Sequence, residues 1–231
     1  MTVLIELCVD SEEAIDAALE GGADRLEVCV DLAVGGLTPP SALVEYALAA
    51  APRAGVHALM RSSGDGFVVP PDQVRDLCER MATWRHEWPE HRLGFVVGAV
   101  RRDGELDEDA ARAFRDAAGE APLTFHRGID STRDPLAATR TLATLGFDRV
   151  LTTGAAGSVA DVAGLAAMGA AAGERMTILG SGGVRAHSVV DIVTRAGLRE
   201  VHMRAPRADG SGTDAAEVAA IVAALADAGL R

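Results

Sequence analysis

Leu4-Ile5-Glu6-Leu7-Cys8-Val9-Asp10 and Leu26-Glu27-Val28-Cys29-Val30-Asp31 are near copies of each other. Each sets a Glu, then a Cys two residues on, then an Asp, into an aliphatic background. Strand side chains alternate between two faces, so Glu and Cys at i and i+2 share one face and the Leu and Val residues take the other. A strand normally hides its apolar face and wets its polar one. Two early strands that carry acids and thiols where a closed barrel has its interior point to a site.

Working outward, apolar strand-like runs alternate with helical patterns from end to end. Strands are predicted at 3–9, 24–30, 55–61, 93–99, 122–127, 148–153, 176–181 and 199–204. Helices are predicted at about 11–21, 41–51, 71–88, 107–118, 134–145, 158–173, 186–196 and 214–228. Ser11-Glu12-Glu13 and Asp107-Glu108-Asp109 put acids in a first turn, Asp134-Pro135 sets Pro at a first helical position, and Ser41 is placed to cap the second helix. Gly21, Gly119, Gly146, Gly173, Gly197 and Gly229 follow helices, where left-handed C-caps are expected. Eight such units imply a single (β/α)8 barrel of the α/β class, one domain over 1–231 with no linker dividing it. A doubly wound open sheet is the alternative, but it would bury both strand faces and favour unbroken aliphatic runs. Five strands instead show two unlike faces: Glu6 and Cys8, Glu27 and Cys29, His57 and Arg61, Thr124 and His126, and Glu200, His202 and Arg204 each oppose aliphatic or aromatic neighbours.

Composition bounds the function. The chain has 231 residues, 48% of them hydrophobic but only 3% aromatic, so its core is built from Ala, Val and Leu. A net charge of -12 and the absence of any arginine run argue against nucleic acid. No apolar stretch is long enough to span a membrane. The N-terminus enters a strand directly, without a secretory signal. Three cysteines, an odd number, fit a reducing cytoplasm.

Several groups on the inner faces carry candidate chemistry. Cys8 and Cys29 occupy matching positions on neighbouring strands roughly 4.8 Å apart, where two thiols can chelate one ion; soft thiolates favour Cu(I). The alternative is two small buried hydrophobes, and Cys78 on the third helix reads as packing. Glu6 and Glu27 read either as an acid/base pair, one carboxyl raising the pKa of the other, or as an ion network with Arg61, Arg127 or Arg204. His126 and His202 stand near strand ends as acid/base candidates, whereas His57 lies lower and reads as core. Thr153-Gly154 after the sixth strand and Gly182-Gly183 after the seventh are turns whose N–H groups can hold an anion or phosphate, or are tight turns only. Gly35-Gly36-Leu37-Thr38-Pro39-Pro40 lies where it can cross the barrel mouth. No Ser/His/Asp triad, paired CxxC or HExxH is present.

The motifs resemble the CutC family of copper homeostasis barrel proteins along nearly the whole chain. The resemblance rests on Glu6-Leu7-Cys8, Gly22-Ala23-Asp24-Arg25-Leu26-Glu27-Val28-Cys29, Gly35-Gly36-Leu37-Thr38-Pro39, Phe125-His126-Arg127 with Asp130, Arg149-Val150-Leu151-Thr152 with Gly154, Gly180 to Val184, and Glu200-Val201-His202. It implies a (β/α)8 barrel, a cytoplasmic protein and a link to copper, and it strengthens the metal reading of Cys8 and Cys29 beside the packing one. Where the family usually continues Pro-Arg after Met60-Arg61, this chain has Ser62-Ser63-Gly64-Asp65-Gly66-Phe67, which bears on ligand specificity. Two functions therefore stand side by side, ahead of a third reading in which the polar interior serves only stability and subunit assembly. One is a copper-binding protein. The other is an enzyme acting on a small anionic or phosphorylated ligand, with Glu27 or Glu6 as base, His126 or His202 as acid or electrophile, and Arg61 as anion holder. Apolar faces on the helices at 158–173 and 214–228 leave a homo-oligomer open.

Overall fold

The computed structural model describes residues 2–50, 52–89, 92–154 and 157–231. Eight parallel strands close into a barrel in sequence order: β1 (Leu4–Val9), β2 (Arg25–Val28), β3 (Val56–Leu59), β4 (Leu93–Val97), β5 (Leu123–Phe125), β6 (Arg149–Thr152), β7 (Thr177–Gly180) and β8 (Glu200–Met203). Pairing of β1 with β8, Leu4 opposite Glu200 and Glu6 opposite His202, completes the ring. A helix follows each strand: α1 (Glu12–Glu20), α2 (Ser41–Ala49), α3 (Pro71–Glu87), α4 (Glu108–Ala118), α5 (Pro135–Thr144), α6 (Val162–Ala172), α7 (Val189–Ala196) and α8 (Ala215–Asp227). The predicted barrel is therefore the observed one.

The caps explain where most helices start. Ser11 accepts from the Ala14 N–H, Asp107 from Ala110 and Asp134 from Ala137. Each satisfies a donor that the first turn leaves open. Asp161 does the same for Ala163 and Gly164, which is why α6 begins four residues later than its apolar pattern suggests. Two cap expectations are corrected. Ser41 is the first residue of α2; the extended Pro40 occupies the cap and no side chain closes it. Gly21 is right-handed (φ -72°), and the left-handed residue is Gly22. Gly21 is small for another reason: a Cβ there would lie 2.5 Å from Val218 Cβ on α8.

The outward strand faces and the inward helix faces form one apolar core, including Ile5, Leu7, Leu26, Val28, Phe95, Phe125 and Val201. Its burial supplies the main driving force for folding. A second, smaller cluster lies inside the barrel: Cys8, Cys29, Leu59 and Val96, with Leu32 above it. Below this cluster the interior is ionic. Arg25, 1% exposed, pairs with Glu6 and, at 2.5 Å, with Glu200, which Arg149 also reaches at 2.8 Å. Burial opposes these charges, but mutual pairing outweighs it and raises the Arg25 pKa.

Candidate metal centre and ligand cavity

Register sets the site. Cys8 on β1 lies opposite Glu27 on β2, and Glu6 lies opposite Arg25. The two near-copy segments are therefore staggered by two residues, and Cys8 and Cys29 do not occupy matching positions. Strand tilt in a closed barrel produces this shear. The Cys8 thiol consequently sits between two neighbours. Its Sγ lies 3.4 Å from Cys29 Sγ and 3.9 Å from Glu27 Oε1. His202 on β8 closes the group: its Nδ1 is 2.8 Å from Glu6 Oε1 and 3.9 Å from Glu27 Oε2. Donor atoms of Cys8, Glu27 and His202 all lie within 4.8 Å of one another.

The two glutamates are electrostatically opposite. Burial works to raise the Glu6 pKa, but Arg25, the His202 hydrogen bond and His57 hold it well below the usual carboxylate range. Glu27 feels His202 and Arg25 too, but too weakly to outweigh its burial. Burial pushes it up to about 7, the proximity of Glu6 adding to the effect and His202 opposing it. Burial depresses His202 as well, yet its hydrogen bond to Glu6 and the charge of Glu27 raise it overall. The Cys8 thiol is pushed well up by its contact with Cys29, then by burial and the two glutamates. Glu27 Oε2 is buried without a hydrogen-bond partner.

Above this group opens a cavity of about 510 Å³, lined by Cys8, Glu27, Arg61, His126, His202 and Arg204, with Leu32, Leu59, Phe67 and Leu151 as its apolar wall. It lies at the C-terminal end of the strands, the functional face of this architecture. Its size is that of small-molecule sites. His126 is 5% exposed, and its Nδ1 accepts the Gly128 N–H at 3.0 Å. Burial and then Arg61 lower its pKa to about 4, so it is a neutral imidazole whose proton is on Nε2. Arg127 also lines the cavity but is tied to Asp130 at 3.1 Å. Asp130 in turn accepts from Thr152 and from the backbone and hydroxyl of Thr153.

The structure gathers Cys8, Cys29, Glu27 and His202 at one point and places Arg61 and His126 across the same cavity. Glu6 lies two residues, about 6.6 Å, further down its strand and does not line the cavity. Of the glycine turns, the Thr153 N–H donates to Asp130 and the Gly154 N–H to Thr152 Oγ1, and neither those residues nor Gly182 and Gly183 line the cavity. The Gly35-Gly36 segment does cover the mouth. Arg61 latches it by donating to the carbonyls of Val34 and Gly36, both at 2.9 Å. Gly36 (φ +89°) packs so closely that a Cβ would meet Leu59 Cδ2 at 2.8 Å and Cys29 Cβ at 3.4 Å.

Two site-forming residues escaped the sequence reading. A Cβ on Gly94 would lie 2.4 Å from the His57 ring, and one on Gly98 would lie 2.3 Å from the His126 ring. These glycines flank Val96 at alternate positions, so β4 is hollowed to admit both imidazoles. The available signal was glycine at every second inward position of β4 and the residue after it, in an otherwise apolar run.

Fold and site define a (β/α)8 barrel with a thiol–carboxylate–imidazole centre under a small-molecule cavity. The chain matches the CutC family model over residues 3–206. It is 34% identical over 205 residues to a family protein CutC of Photobacterium profundum, covering 88% of this chain and 82% of that one. A CutC protein of Caulobacter vibrioides is 36% identical over 202 residues, covering 87% and 80%. The chain belongs to the CutC family. Among solved structures, a Streptococcus agalactiae chain described as a candidate copper homeostasis protein CutC superposes with a TM-score of 0.78 at 25% identity, over 87% of this chain and 98% of that one. Phosphoribosyl anthranilate isomerase from Thermotoga maritima shares the fold at a TM-score of 0.62 and 11% identity, over 98% and 100%.

Proposed function

We propose that this chain is a cytoplasmic copper-binding protein of copper homeostasis, with Cys8 and Cys29 as the ligands of Cu(I). The observation that carries the reading is the 3.4 Å separation of the two sulfurs. That distance suits two thiolates gripping one ion, since metal–sulfur bonds are about 2.3 Å. A thiolate pair is soft and selects Cu(I) over hard cations. Leu32, Leu59 and Val96 pack around the pair and give it an apolar setting. Glu27 Oε1 lies against Cys8 Sγ, and His202, whose hydrogen bond to Glu6 favours its protonated form, is the neighbouring group that offsets thiolate charge. The description of the Streptococcus agalactiae relative points the same way. No helix among the described residues is long and apolar enough to cross a membrane.

The test is an anaerobic Cu(I) titration against a competing chelator, on the native protein and on Cys8→Ser/Cys29→Ser. Stoichiometric binding that vanishes in the double variant supports the reading. Equal or negligible binding in both removes it.

A further inference from the structure

A copper ion needs a handful of donor atoms, and the cavity above the sulfurs is far larger than that, at about 510 Å³. Its electrostatics are also out of keeping with a protein of net charge -12. Three arginines line it. Arg127 is neutralised by Asp130. Arg61 and Arg204 have no carboxylate within ion-pair distance among the described residues. Arg61 is only 9% exposed, and its guanidinium donates to backbone carbonyls alone. Arg204 donates to the Gly210 carbonyl at 3.3 Å. Each guanidinium keeps a buried Nε–H with no acceptor. An unpaired charge as buried as Arg61 is costly, and a guanidinium, including that of the half-buried Arg204, is best satisfied by an oxyanion.

A third group aims the same way. Because His126 Nδ1 is occupied by the Gly128 N–H, its Nε2 is a fixed donor on the cavity wall, where it has no partner among the described residues. Phe67 stacks against both: its ring centre is 5.1 Å from the His126 ring, and the Arg61 guanidinium carbon lies 5.3 Å from it. The geometry points to a second ligand: a small organic oxyanion whose charged head is held by Arg61 and Arg204 and whose body receives a hydrogen bond from His126 Nε2. The apolar wall of Leu32, Leu59 and Leu151 limits the body to a few carbon atoms. Because the chain has no lysine, all 22 of its basic residues being arginine, no lysine Schiff base forms with such a ligand. The anion is held by hydrogen bonds and charge alone.

This site stands independently of the copper reading, since neither arginine touches a sulfur. Its test is isothermal titration calorimetry with glycerol 3-phosphate, malate and inorganic phosphate, with glycerol as the neutral control. The native protein binds at least one organic anion and not glycerol. Arg204→Met, which removes the charge but keeps the bulk, weakens that binding about tenfold or more, and Arg204→Lys restores part of it. A preference for glycerol 3-phosphate marks a phosphate monoester site, and a preference for malate marks a carboxylate site. Absence of heat with every anion overturns the inference, as does equal affinity in Arg204→Met. Cu(I) titration of Arg204→Met matches the native protein, so a failure of copper binding is seen separately from a failure here.

Discussion

Glu27→Gln removes the carboxyl that the fold penalises most, and the structure sets the size of the effect. Burial displaces this group from its usual 4.5 to about 7. At about 1.4 kcal/mol per pH unit, the folded state therefore loses about 3 kcal/mol relative to an unshifted carboxyl once both states are ionised. The sign follows from proton counting. Between about pH 4.5 and 7 the folded protein holds the proton and the unfolded chain does not, so stability falls as pH rises through that window and levels off above it. Gln carries no such penalty. It also removes part of the support for the His202 charge, a smaller contribution than the Glu6 hydrogen bond. The net gain is about 2 kcal/mol above pH 8, or roughly 4–8 °C in Tm for a chain of this size, and close to zero near pH 5. The assay is thermal unfolding of both proteins at several pH values between these limits. A Tm difference that does not change with pH, or a Glu27→Gln protein less stable at high pH, would refute the assignment of Glu27 as a buried, penalised acid.

Other expectations follow from the same geometry. Glu6→Gln strands Arg25 with Glu200 as its remaining partner and costs about 3 kcal/mol in urea unfolding at neutral pH. Because the Glu6 pKa is depressed, that cost is complete above the unfolded value near 4.5 and shrinks as pH falls toward the folded one; a constant difference down to acid pH would contradict the pairing. Cu(I) affinity rises with pH, because the Cys8 thiol, held well above its usual value, must release its proton to bind; pH-independent affinity in a chelator competition would count against Cys8 as a ligand. Gly98→Ala drives a methyl into the His126 ring and lowers stability by about 1–3 kcal/mol, read as a fall in the urea midpoint; an unchanged midpoint would show that the ring moves freely.

The barrel was legible because alternation is a local property. Glu6 and Cys8 oppose Ile5 and Leu7 whatever the rest of the chain does, and Ser11, Asp107 and Asp134 announce helices within three residues of themselves. Height along the barrel was not legible, because it depends on register between strands. The repeated Glu-x-Cys pattern suggested equal levels for Cys8 and Cys29, whereas shear sets Cys8 opposite Glu27 and leaves Glu6 in the ionic floor. The same ambiguity hid which carboxyl is free. Glu6 is neutralised by Arg25, a residue with the correct parity to face inward but separated from Glu6 by 19 positions. Gly94 and Gly98 stayed hidden because a missing side chain points at nothing until the residue beside it on the adjoining strand is known, His57 on β3 for Gly94 and His126 after β5 for Gly98.

The hollowed face of β4 also bears on how this barrel changes over generations. Gly98 and His126 fit as cast and mould, and the order in which they can be replaced is one-way. A larger residue at 98 is penalised while the imidazole is present, whereas the imidazole can be lost first, leaving a void that a later side chain at 98 fills. Loss of the histidine is thus a ratchet: once the void is filled, no single substitution at 126 brings the ring back.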